Sequence, residues 1–153
     1  MKDIILSSRN FMDYIPKNQK EYRSFIRLIL KYADTVCFTV RPFLDSLDEF
    51  RRSIWSAMRC SIADYGFAQA ASDPKGVKSS LILFKKDYCL CDFLQHKNGI
   101  FDFTEEDPGT GIRLDDPAFL KNGEVFLYTV THGKMCAVTE DVCSRLLTVK
   151  ERK

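Results

Sequence analysis

At 153 residues, with 45% hydrophobic side chains and 12 phenylalanines, the chain is long enough to bury one core and too apolar to be disordered. Its formal charge of +2 is too small to point to nucleic acid or a membrane surface by itself. The start of the chain has no secretory pattern, and no apolar stretch approaches the roughly 20 residues of a membrane span, so a single soluble, cytoplasmic domain over 1–153 is expected.

Ile4-Ile5-Leu6 fits a short buried strand, and Arg9–Pro16 a connection anchored by Phe11 and Tyr14. Asn18 and Glu21 have capping-box spacing. Behind them Tyr22, Phe25, Ile26, Ile29, Leu30 and Ala33 recur at helical intervals, predicting a helix over 19–33 with Lys20, Arg23, Arg27 and Lys31 outside. Thr35–Val40 is β-branched and aromatic and reads as a central strand, closed by Arg41-Pro42. A second capping-box spacing, Ser46 and Glu49, precedes Phe43, Leu47, Phe50, Ile54, Met58 and Ile62 at helical spacing, widened by Trp55. This predicts a longer helix over 44–64 stopped at Gly66, with Phe67–Ala71 adding a turn. Ser72–Ser80 is a polar loop.

An antiparallel ladder follows. Leu81–Phe84 suits a buried strand, and Tyr88–Gln95 alternates like a strand. Asn98-Gly99 marks a hairpin returning through Ile100–Phe103, since both residues of the pair accept positive φ. Thr104–Pro117 is an acidic loop. Asn122-Gly123 is a second hairpin turn, Glu124–Thr131 the most strand-like segment, and His132-Gly133 a third reversal into Met135–Val138. Glu140–Thr148 closes as a helix capped by Thr139. The fold class is α+β: an antiparallel sheet of about five to seven strands with a late meander, two N-terminal helices on one face and a short C-terminal helix.

The acidic loop is the most distinctive candidate. Asp102, Glu105, Glu106, Asp107, Asp115 and Asp116 bracket Pro108-Gly109-Thr110-Gly111, with Arg113 inside. The spacing does not match an EF-hand. A carboxylate pair for acid/base work needs one member shifted by burial. The acids can also face a basic protein partner, setting rate and selectivity, with Phe119 or Phe103 as an aromatic anchor. The plainer alternative is a solvated loop.

Cys89-x-Cys91 would put two sulfurs on one strand face, but zinc needs a second close pair that Cys37, Cys136, His96 and His132 do not supply, so core packing is expected. Without a secretory signal, reduced thiols are expected for all six cysteines, Cys60 and Cys143 included. Cys136 and His132 could meet across the Gly133 turn, the best thiol–imidazole pair available. Gly109-x-Gly111 lacks the rest of a phosphate-binding motif. The basic face of the first helix is a solvated face rather than a nucleic-acid module. Basic residues outnumber acids in 51–100 and acids outnumber bases in 101–153, so the surface is dipolar.

In layout, one α+β domain with no catalytic signature and a patterned charge surface, the chain is similar to small bacterial toxin-immunity proteins. That likeness covers no specific motif. The expected function is non-enzymatic binding of a basic protein partner, with Asp102, Glu105, Glu106, Asp107, Arg113, Asp115, Asp116 and Phe119 as the contact set. Neither a cofactor, a metal nor a membrane is expected, and the chain would be a monomer or homodimer. The alternative is an enzyme or metal protein using the acidic loop or the Cys136/His132 pair.

Overall fold

The computed structural model describes residues 5–7, 9–42, 44, 46–69 and 78–151. Ile4, Phe43, Ala70-Ala71 and most of the polar loop over 72–80 lie outside the described residues. In chain order the elements are β1 (Ile5–Leu6), β2 (Phe11–Asp13), α1 (Gln19–Tyr32), β3 (Thr35–Arg41), α2 (Asp48–Arg51), a 3₁₀ helix (Ile54–Ser61), β4 (Ile62–Gln69), β5 (Lys78–Lys85), α3 (Tyr88–Gln95), β6 (Arg113–Lys121), β7 (Glu124–Val130), β8 (Met135–Thr139) and α4 (Glu140–Glu151).

Strand β3 is central because its side chains are apolar on both faces. Val36, Phe38 and Val40 are buried on one side and Cys37 on the other, as alternation along a strand requires. It pairs antiparallel with β5 and β6. The sheet runs β2-β8-β7-β6-β3-β5-β4, antiparallel throughout, with β1 added parallel to the start of β7. The α+β class with an antiparallel sheet and late β6-β7-β8 meander is as the sequence predicts.

One face of the sheet carries the main core. Tyr22, Phe25, Ile26, Ile29 and Leu30 of α1 meet Phe38, Phe84 and Phe119, and each fully buried large side chain contributes about 1.5–3 kcal/mol. The Asn18 side chain accepts the Glu21 N–H at 2.9 Å, and Glu21 Oε2 accepts the Lys17 N–H, so the predicted N-terminus of α1 is built as expected. Tyr14 stacks on Phe25 and Phe11 meets Tyr128 edge-on. The segment expected as a plain connection therefore keeps its two anchors, and it also contributes β2 to the edge beside β8.

Two segments differ from expectation. The helix over 44–64 is broken. After the single turn of α2, Ser53 is extended; its hydroxyl donates to the Phe50 carbonyl at 2.6 Å and accepts the Trp55 N–H at 3.2 Å, starting the 3₁₀ helix. Trp55, Met58 and Ser61 are the buried residues there, a spacing of three that matches 3₁₀ rather than α geometry. Ile62 onward, Gly66 included, is strand. The second helix against α1 is instead α3, tied to it by the Tyr22 hydroxyl donating to the Leu94 carbonyl at 2.6 Å.

The predicted strand over 88–95 is that helix. Asp87 caps it, accepting the Leu90 N–H at 3.0 Å, and Leu90 and Leu94, four apart, are fully buried. A short apolar run bears either reading, and the cap decides it. Asn98-Gly99 is consequently no hairpin, and Ile100–Phe103 is not a strand, although Ile100 and Phe103 are buried. The Asn98 N–H donates to Asp102 Oδ2 at 3.0 Å and the Asn98 side chain accepts from Gln19.

Asn122-Gly123 is the genuine tight turn between β6 and β7, with φ of 52° and 82° and Lys121 opposite Glu124. Gly123 needs that left-handed backbone, whereas Gly99 does not adopt it and has open space where a methyl group would go. Gly123→Ala should therefore lower the unfolding free energy by about 1–2 kcal/mol. Gly99→Ala should stay within about 0.5 kcal/mol in the same urea titration. Equal losses at both would restore a hairpin at Asn98.

Candidate functional site

The 3₁₀ helix and α3 are hitched at one carboxylate. Ser61 Oγ donates to Asp87 Oδ1 at 2.8 Å, the oxygen that also caps α3. With Leu90 and Leu94 turned into the core, α3 presents Tyr88, Cys89, Asp92 and His96 on its other side. These face Ile54, Trp55, Ala57 and Met58 of the 3₁₀ helix across a groove of about 590 Å³. Lys97, Asp102 and Glu105 close its third side.

The floor is aromatic and aliphatic. Trp55 and Phe93 meet at 5.9 Å, near perpendicular, and Phe93 meets Phe103 at 6.3 Å. Trp55 Nε1–H donates to the Ile112 carbonyl at 3.0 Å, which fixes the indole. Tyr88 stands on the rim, 83% exposed, and Ile54 is 45% exposed. Three acids rim the groove. Asp92 lies 3.4 Å from His96 Nδ1, Asp102 holds the Asn98 N–H, and Glu105 lies 3.9 Å from Lys97 Nζ.

Of the residues chosen from sequence, Asp102 and Glu105 line this groove and the others do not. Glu106 pairs with Arg113 at 3.4 Å. Asp107 is turned inward, only 5% exposed. It accepts the Thr110 hydroxyl at 2.7 Å, the Ile54 and Thr110 N–H groups at 2.8 Å each and the Gly109 N–H at 3.1 Å. The Thr110 hydroxyl, then the Ile54 N–H, hold its carboxyl below the usual carboxylate range.

The expected loop ends at residue 112, because Arg113–Lys121 is β6. Asp116, with φ of 49°, lies in an irregularity where β6 carries one extra residue opposite β3. It accepts the Thr131 N–H at 2.7 Å. Asp115 is fully buried, with Oδ2 3.2 Å from Arg41 Nε and 3.5 Å from His132 Nε2, while Arg41 Nη2 is 3.6 Å from Asp116. Phe119 is fully buried and Phe103 2% exposed, so both belong to the core, and the exposed aromatic beside the groove is Tyr88.

The Cys136/His132 pair is not a poised nucleophile. Cys136 is buried, burial pushes its thiol up to about 12, and the imidazole of His132 faces Asp115. All six cysteines are free. Cys37, Cys136 and Cys143 are buried, but Cys60 is exposed; Cys89, exposed on α3, and half-buried Cys91 do not share a face two positions apart on a helix. Among the described residues no group of three or more His, Cys, Asp and Glu side chains could hold a metal ion, and no helix is long and apolar enough to cross a membrane.

Sequence reasoning misses Trp55, Met58, Tyr88, Asp92 and Phe93 as groove residues because it places them in one long helix and one strand. The Asp87 cap is the available signal for α3. No protein family, curated protein or solved structure matches the chain.

Because its carboxyl is depressed in the fold, Asp107 contributes stability that is present above the unfolded carboxylate pKa of about 3.9 and is lost as pH falls through the lower folded value. Asp107→Asn should melt several degrees below the native protein at pH 7. The gap should close as pH falls from about 5 to 2, where the native carboxyl also becomes neutral. A gap that holds constant across thermal scans in that range would detach Asp107 from the acid response.

Proposed function

We propose that the chain is a non-enzymatic protein-binding protein that takes a basic, apolar-anchored segment of a partner into the groove between the 3₁₀ helix, α3 and residues 96–105. The observation that carries this reading is the pairing of an aromatic floor with a rim holding Asp92, Asp102 and Glu105. Burying apolar side chains supplies non-directional affinity, and like-signed rim charges select the partner's sign and raise the encounter rate. Tyr88 suits an interface anchor: it is large, carries a polar tip, and is held on a helix rather than a loop.

A small-molecule site of this volume usually orients its ligand with a few buried polar groups. Among the described residues, the buried side-chain polar atoms without a hydrogen-bond partner are on Asp115, Thr139 and Asp141, none of which lines the groove. We read the occupant as a protein segment, recognised by shape and rim charge. Neutralising a basic toxin surface in the cytoplasm, as small immunity proteins do, is the biological form this reading takes.

Glu106 and Asp107 are poor places to test it, since neither lines the groove and Asp107 holds the loop. The exposed rim is better. Tyr88→Ala combined with Asp92→Lys and Glu105→Lys should weaken a purified partner complex more than tenfold by titration calorimetry. The melting temperature should move by no more than about 2 °C, since these side chains are exposed. Native affinity in the folded triple variant would overturn the reading.

A further inference from the structure

Lys97 follows α3 outside any regular element, where a lysine would ordinarily extend into water. It does the reverse. Its side chain is only 12% exposed, and its ammonium lies 4.8 Å from the centre of the Phe93 ring and 5.6 Å from that of Phe103. Glu105 Oε1 is 3.9 Å away, beyond hydrogen-bond length. The groove therefore already contains a seat for a cation, made of two aromatic rings and a carboxylate, and a residue of the same chain sits in it.

The seat is better matched to a guanidinium than to the ammonium it holds. Aromatic rings attract any cation through their quadrupole, but a planar guanidinium can stack on Phe93 and still direct N–H groups at a carboxylate. Lys97 makes the ring contacts without closing on Glu105, so its charge is only partly matched in the seat. Resting on the reading of the groove as a basic-segment site, we infer that Lys97 is a self-occupying stand-in for an arginine of the partner, which displaces it from Phe93 and Glu105 on binding. Lys97 then moves to solvent, and the partner's arginine completes the ion pair that Lys97 leaves long.

The chain has a single tryptophan, Trp55, which packs against Phe93, so its emission reports on the seat. The probe is an acetylated, amidated octapeptide of Leu, Ala and two Arg, set against its citrulline counterpart, which keeps the shape and lacks the charge. The arginine peptide should change Trp55 emission saturably and the citrulline peptide should not. Lys97→Met, which fills the same space without charge, should bind the arginine peptide at least about fivefold tighter, the equivalent of removing one largely desolvated cation–π competitor. Equal or weaker binding by Lys97→Met overturns the displacement of Lys97. In that case Asp92→Lys decides the groove itself: weakened peptide binding in this variant keeps the groove as a basic-segment site. An arginine peptide that alters Trp55 emission in none of the proteins removes both inferences.

Discussion

The Asp107 carboxylate is the constraint on which the site depends. It collects four donors, three from its own turn and one from the first residue of the 3₁₀ helix. A carboxylate with this many donors is held in one place, and so are the donors. The Ile54 N–H is one of the groups a helix start leaves unpaired, and here an acid more than fifty residues away in sequence satisfies it. The Trp55 indole repeats the tie just beyond that turn, at Ile112. The segment over 104–112 is consequently a clamp on the 3₁₀ helix, and the groove has fixed walls because of it. The residue that stands out in sequence as a charge acts in the fold as a hydrogen-bond acceptor.

Where local signals agree with one another, the fold is legible in the sequence. In α1 the Asn18 cap, the apolar stripe and the basic outer face all point to a helix, and the structure has one. Asn122-Gly123 sits between two strongly patterned strands, and the turn, the register and β7 follow together. Tyr88–Gln95 is the opposite case. Alternation of Tyr88, Leu90 and Leu94 against Cys89, Cys91 and Phe93 fits a strand, while Leu90 with Leu94 fits a helix. Only the capping side chain of Asp87 separates them, and an aspartate beside two lysines reads equally well as a turn. Reading 88–95 as a strand hands Asn98-Gly99 a hairpin it does not form. In 44–64 a period of three passes for 3.6, because a run holding Phe50, Trp55 and Met58 does not distinguish the two without the break at Ser53.

The candidate site is legible in kind and not in detail. The acids are the distinctive chemistry, but composition cannot say which are wet. Asp115 is buried against Arg41, Asp107 is committed to backbone and hydroxyl donors, and Asp102 and Glu105 remain on a concave surface. Their aromatic complement comes from two segments distant in sequence, brought opposite each other by the Ser61–Asp87 contact. Burial and concavity are tertiary quantities, set by which elements pack, and a one-dimensional pattern of charges does not carry them.

A groove of this kind has a liability when empty. Aromatic faces and same-signed acids exposed together attract any cationic or apolar segment, and contiguous apolar patches favour self-association. Lys97 answers both. Its ammonium lies over Phe93 and Phe103 and offsets Glu105, in the position that the proposed arginine would take. Specificity is a difference of affinities, and on the proposed reading a resident cation penalises most the occupant that cannot replace its charge beside Glu105. A segment offering only apolar contact, or only charge, then fails where one offering both succeeds. On the proposed reading, the same lysine shields the empty groove and sharpens the choice of partner.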